Sequence, residues 1–141
     1  MVEELSMGEL SRVFAGIAKD LDKKAIAQAM NLVAPLLESW LHTLTGIRNI
    51  CAHHSRLWNR ELGVKPELPK SQNFLWPDNL RNAQMHMRLY VVLAILNYMM
   101  KQVSPHTSWN QRLKELFNQF QDIPLHAMGM PQQWQNDPFW S

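Results

Sequence analysis

The sequence predicts an all-α fold, a helical bundle of about five helices, from three observations. Hydrophobic residues make up 46% of 141 positions, and glycine occurs only 5 times. No segment sustains the period-two alternation of a half-buried strand. Apolar residues instead recur at three- and four-residue steps, the spacing of one helix face. A chain of this length fills one sizeable core, so residues 1–123 are expected to form a single bundle and 124–141 an irregular tail packed on it.

The first helix opens at Ser6, whose pairing with Glu9 three residues later lets each side chain satisfy a free backbone N–H. Leu10, Val13, Phe14 and Ile17 then supply an inward face. A second, short helix is expected from near Asp22, with Ala25, Ile26, Ala29 and Met30 turned inward. Pro35 suits the first turn of a third helix, where its missing N–H costs nothing. The pattern of that helix runs to Asn59, and Gly63 and Pro66 stop it.

Pro66, Pro69 and Pro77 stiffen the loop between Glu61 and Asp78, which Phe74, Leu75 and Trp76 are expected to pin. A fourth and central helix is expected over Asn79–Val103, facing inward through Leu89, Val92, Leu96, Met99 and Val103. Ser108 and Gln111 form a second capping pair for a fifth helix, with Trp109, Leu113, Leu116, Phe117 and Phe120 on its apolar side. Trp40, Trp58 and Trp109 lie on apolar helical faces and read as core. Trp76, Trp134 and Trp140 lie in loops and read as anchors of those loops.

A formal charge of +2 is too small to argue for a polyanionic partner, so the placement of cations must carry that case. The single cysteine, Cys51, excludes an intramolecular disulfide and points to a reducing, cytoplasmic setting. Glu3 and Glu4 stand where a secretory signal would carry basic residues, so none is expected. The apolar run Leu89–Met100 contains Asn97 and falls short of the roughly 20 residues that span a bilayer, so it reads as a core helix with no membrane role.

The segment from Ile47 to Arg60 concentrates the chemistry. On a helical wheel of about 100° per residue, Arg48, Asn49, His53, Arg56 and Arg60 share an arc of about 140°. Trp40, Leu44, Ile47, Ile50, Cys51, His54, Leu57 and Trp58 fill the opposite, apolar arc. His53 thus joins the cationic face and His54 the core. By spacing alone, a solvated surface residue is the stronger reading of His53.

The catalytic reading of the same face rests on what RNA cleavage needs: a proton taken from the 2′-hydroxyl, a proton given to the leaving 5′-oxygen, and charge stabilised on the phosphoryl oxygens. An imidazole handles protons near neutrality, and guanidinium forks fit phosphate. Asn49, one turn before His53, can orient the imidazole or the phosphate. One helix supplies one such histidine, whereas a two-fold dimer through this helix brings two arginines and two histidines to one cleft. Gly46 would allow close approach at that axis, or is a tolerated break.

Arg48 with four residues before His53 resembles the Arg-(four to six residues)-His signature of HEPN nucleases, including the polar Asn49 after the arginine. The longer string from Arg48 to Arg60 resembles the core of Abi-like proteins, the bacterial abortive-infection group. Leu5–Ser11, Ser39-Trp40-Leu41, and Met128–Pro131 with Trp134 resemble the same family in the same order. The resemblance implies a HEPN-like helical domain that dimerises through the motif helix. It also implies RNA cleavage without metal, leaving a 2′,3′-cyclic phosphate, in the context of phage defence. In that picture Arg48 and His53 are the catalytic pair, Asn49 supports them, and Arg56 and Arg60 bind RNA. No cofactor is expected, and an antitoxin or regulatory partner is left open.

Rival chemistries fare less well. Six histidines, at 42, 53, 54, 86, 106 and 126, raise a zinc site, but no pair has the helical three- or four-residue separation of ligands. Cys51 on the core arc makes a poor nucleophile. Arg81 and Arg88 would extend a basic groove, but a solvated charged face is the favoured reading. The alternative function is a non-catalytic RNA- or partner-binding module of a toxin–antitoxin or defence system. Phosphate binding needs only the arginines, whereas catalysis needs His53 as well.

Overall fold

A computed structural model describes residues 6–17, 20–81 and 88–141. Among the described residues there are five α-helices, short 3₁₀ turns and no strand, so the chain is all-α as its periodicity predicts. They fall into two compact units, one running up to Leu57 and joined by Gly63–Glu67, the other comprising Trp58–Leu62 and Leu68–Ser141.

The first unit holds α1 (Met7–Ala15), α2 (Asp20–Ala29) and α3 (Ala34–Ala52), with α1 and α2 both packed on α3. The capping box forms as expected. Ser6 N–H donates to Glu9 Oε2 at 2.8 Å, and Glu9 N–H donates to Ser6 Oγ at 3.2 Å. Hydrogen bonding from the Ser6 backbone N–H foremost, and from the Ser6 hydroxyl after it, holds the Glu9 carboxyl below its usual range. Phe14 is buried, but Val13, expected inward, is 55% exposed. At the other end of the α1–α3 contact, Thr45 Oγ1 donates to Leu41 O at 2.9 Å, with Met7 O as a second acceptor at 3.3 Å.

The inward face of α2 differs from the expected one. Ala25, Ile26 and Ala29 are exposed, and Ala27 is buried between the half-buried Lys23 and Met30. Lys23 is a charged residue with little of its side chain in water. Its stem lies along the unit while Nζ donates to Ala15 O at 2.8 Å and pairs with Glu38 at 3.5 Å. In α3, Pro35 sits in the first turn, and Leu36, Leu37, Trp40 and Leu41 are buried. Trp40 Nε1 donates to Glu67 O at 2.9 Å, and Glu67 N–H donates to Ser39 Oγ at 2.8 Å, which ties Gly63–Glu67 to this helix.

The second unit contains a 3₁₀ turn at Asp78–Leu80, then α4 (Leu89–Val103), α5 (Trp109–Gln119) and further 3₁₀ turns at Leu125–Met128, Trp134–Asn136 and Pro138–Trp140. The fourth helix was expected from Asn79, and residues 82–87 of that expectation lie outside the described residues, as does His86. Its buried face is Tyr90, Val91, Val92, Ala94, Ile95 and Asn97, whereas Val103 is 73% exposed and Leu96 and Met99 are half-buried. The expected Ser108–Gln111 capping box is absent. Thr107 Oγ1 accepts from Trp109 N–H at 3.2 Å, and Asn110 Oδ1 accepts from Gln111 N–H at 2.8 Å. On α5, Leu116 and Phe120 are exposed while Trp109, Leu113 and Phe117 are half-buried.

The loop tryptophans do anchor, and they form the core itself. Trp76, Trp134 and Trp140 are essentially buried, while Leu75 is 57% exposed. Trp140 meets Trp134 and Phe139 edge-on, each with ring centroids 5.0 Å apart, and Phe139 meets Trp76 at 5.5 Å. Trp140 Nε1 donates to Tyr90 Oη at 3.0 Å, and Asn97 Nδ2 donates to Phe139 O at 3.5 Å. Lys101 Nζ adds a bond to Ser141 O at 2.8 Å, closing the tail onto α4.

Burial pushes the Tyr90 phenol up from 10.0 to about 12, although its bond from Trp140 pulls the other way. A phenol ionised only in the unfolded chain shifts the balance toward unfolding, so stability should fall as pH rises from 10.0 toward about 12. Urea titrations across that range should show the fall, and Tyr90→Phe should lessen it, leaving the smaller part due to the burial-raised Tyr98. Trp140→Ala should cost about 3–5 kcal/mol in the same measurement, the range of large aromatic truncations in a packed core.

Candidate functional site

The catalytic candidates sit where α3 ends, and the manner of its ending decides their arrangement. The helix stops at Ala52, with His53 as C-cap, instead of continuing to Asn59. His54 takes the left-handed conformation, φ 54°. His54 N–H donates to Cys51 O and Ser55 N–H donates to Ile50 O, each at 3.1 Å. Those paired bonds are the Schellman pattern that glycine ordinarily completes. Histidine tolerates the left-handed region better than most residues, and His and Ser have weaker helix propensity than Ala52 before them.

This end corrects the helical wheel beyond Ala52. His54, assigned to the core, is exposed, as are Cys51 and Trp58. Leu44, Ile47, Ile50 and Leu57 are half-buried, and Trp40 alone of that arc is fully buried. Arg56 and Arg60 are exposed but do not extend the α3 face, because the residues carrying them are no longer helical. Arg60 belongs to the second unit.

Arg48, Asn49 and His53 remain together at the exposed end of α3. Arg48 Nη1 donates to Asn49 Oδ1 at 3.4 Å, and His53 N–H donates to Asn49 O at 3.1 Å. All three side chains face solvent, and among the described residues no carboxylate pairs with Arg48. A stripe of exposed positions, His42, Gly46, Asn49 and His53, follows the helix at four- and three-residue steps. A Cβ built on Gly46 would meet nothing within 4 Å. The face can therefore accept an approaching backbone.

Chemically, the group offers a fixed cation, an amide and an imidazole open to a phosphodiester. The helix's carbonyl end carries partial negative charge, which opposes a phosphate by roughly 0.3–1 kcal/mol. The guanidinium of Arg48 offsets it. Among the described residues, no group of three His, Cys, Asp or Glu side chains is placed to hold a metal ion, and no helix is long and apolar enough to cross a membrane.

Two other arginines have structural bonds that the sequence did not signal. Arg81 Nη2 donates to Phe74 O at 2.8 Å and its Nε pairs with Asp78 at 3.6 Å. Arg88 Nη1 donates to Asn59 O at 3.0 Å and Ala127 O at 3.2 Å. Neither is the solvated charge the sequence suggested. Carbonyl acceptors in irregular segments leave no sequence pattern from which to foresee them.

Comparison with known proteins gives one family. Residues 1–59 match the family described as Abi-like protein, a span that takes in the whole α3 end from Arg48 to Trp58. The stretches Met128–Pro131 and Trp134 lie outside the matched residues. No curated protein and no solved structure matches the chain.

His54→Gly should raise stability by about 1 kcal/mol, because glycine occupies the left-handed position without the Cβ penalty. Thermal melts check this. A loss of stability would mean that the His54 imidazole holds the turn.

Proposed function

We propose, from the premise that this chain is Abi-like over residues 1–59, that it is an endoribonuclease of a bacterial abortive-infection system. The observation that carries the reading is the solvent-facing grouping of Arg48, Asn49 and His53, with no acidic partner for the guanidinium among the described residues. A cation left in water on the same helix end as an imidazole is open to a phosphodiester and forms no fold-stabilising ion pair among the described residues.

In this reading His53 handles the proton of the 2′-hydroxyl or of the leaving 5′-oxygen. Arg48 stabilises charge on the phosphoryl oxygens, and Asn49 orients Arg48 through their shared bond. Arg56, exposed just past the helix end, holds a flanking phosphate, and Arg60 is a second RNA-binding candidate. The 2′-oxygen displaces the 5′-oxygen directly, so the products are a 2′,3′-cyclic phosphate and a 5′-hydroxyl, with no metal needed for the nucleophile. Two copies paired along the exposed stripe of α3 supply the second imidazole, and the bare face at Gly46 supports that pairing.

Incubation of the protein with mixed RNA in EDTA should yield fragments ending in cyclic phosphate. His53→Ala should lower the rate by at least 100-fold, the usual scale of lost acid–base catalysis, while RNA affinity changes little. A strict magnesium requirement would refute the mechanism. Cleavage indifferent to His53, with binding lost in Arg48→Ala, would leave a non-catalytic RNA-binding module. For the dimer, Gly46→Arg should leave the melting temperature intact yet shift light scattering to the monomer mass, with activity falling alongside.

A further inference from the structure

Within the second unit, a cavity of about 540 Å³ is lined by Asn59, Asn79, Arg88 and His126, together with the backbone around Gly129 and a few apolar side chains. This volume lies in the range of small-molecule sites, roughly 300–1,000 Å³. Among the described residues no carboxylate lines it. All four polar side chains can donate hydrogen bonds.

The bonding of Arg88 shows which donors remain. A guanidinium has five N–H groups, and both on Nη1 are taken by the carbonyls of Asn59 and Ala127. The Nε–Nη2 edge is left over, the edge whose two parallel N–H groups match an oxyanion. Arg88 forms no ion pair among the described residues. The two carbonyls fix the guanidinium before any ligand arrives, so little rotamer entropy is lost on binding. His126, Asn59 and Asn79 have no side-chain hydrogen bonds to other described residues, so their donors are uncommitted too.

The geometry points to a phosphate-binding site in this cavity, one that takes a phosphate group carried by a ligand of nucleotide size. A carboxylate presents only two oxygens, in one plane, and both are drawn to the arginine edge. A phosphate monoester has three terminal oxygens in a tetrahedral arrangement and can accept from Arg88, His126 and the asparagines at once. The volume left beyond the phosphate accommodates the organic part. This inference does not rest on the nuclease reading, because every residue involved lies in the second unit and none is a proposed catalytic group.

Titration calorimetry of the full chain with sodium phosphate, uridine monophosphate and a ribo-octamer, at constant ionic strength, tests it. Phosphate or the mononucleotide should bind saturably at one site, and His126→Glu and Asn79→Asp should each weaken binding at least tenfold. Both substitutions put a carboxylate in the cavity without removing a buried apolar side chain, and thermal melts confirm that the fold persists. Arg88→Lys, which keeps the charge but loses the paired edge, should weaken binding as well. Saturable binding of the octamer alone, lost in the same variants, would assign the phosphate to an RNA strand. No saturable binding of any of the three, or affinity indifferent to both carboxylate variants, overturns the proposal. His53→Ala should leave this binding unchanged, which separates it from the cleavage assay.

Discussion

A helix must do something with its last carbonyls, and in α3 that requirement is met at His53, His54 and Ser55. The two bonds from His54 and Ser55 return to Cys51 and Ile50 and turn the chain away from the helix axis. Because the turn comes at Ala52, the cationic segment divides. Arg48, Asn49 and His53 stay on or against the helix, while Arg56 and Arg60 leave it. A left-handed histidine costs more than a glycine would, and the chain tolerates that cost at the residue adjoining the proposed proton-handling group.

Among the described residues, three segment ends use the same device. Asn31 closes α2, with Leu32 N–H returning to Ala27 O, and Gly129 closes the Leu125–Met128 turn, with Met130 N–H returning to Leu125 O. At those two ends the residue after the left-handed position is buried, Leu32 at 6% and Met130 at 4% exposure, so the turn also places an apolar anchor. After His54 the equivalent residue is Ser55, which is exposed. The end of α3 is therefore held by hydrogen bonds without an apolar clasp, and its neighbourhood stays open to solvent.

Arginines divide the labour in the same way. Arg81 and Arg88 close gaps in irregular backbone by donating to carbonyls, and in doing so they keep loops of the second unit in place. Arg48 does no such work among the described residues, where its side chain bonds only to the neighbouring Asn49. A charge that stabilises nothing in its own unit is available to a ligand, whereas one that holds two carbonyls is available only through its remaining edge. The proposed cleavage site and the proposed phosphate cavity are the two forms of that availability.

The sequence by itself determined the all-α class, the capping box at Ser6, the place of Pro35, and the exposed positions of Arg48, Asn49 and His53 up to Ala52. Each follows from contacts within a few residues or from helical periodicity, which local chemistry fixes. It also marked Trp76, Trp134 and Trp140 as anchors, since large aromatic rings in loops find little stability in water. Tertiary structure alone decided the end of α3, because no glycine or proline marks it and the backbone bonds that make it depend on conformation, not residue type. It likewise decided the inward turn of Lys23 and the tying of Arg88 to two carbonyls. A long cationic side chain carries an apolar stem and a polar head, and only its neighbours in space settle which of the two is used.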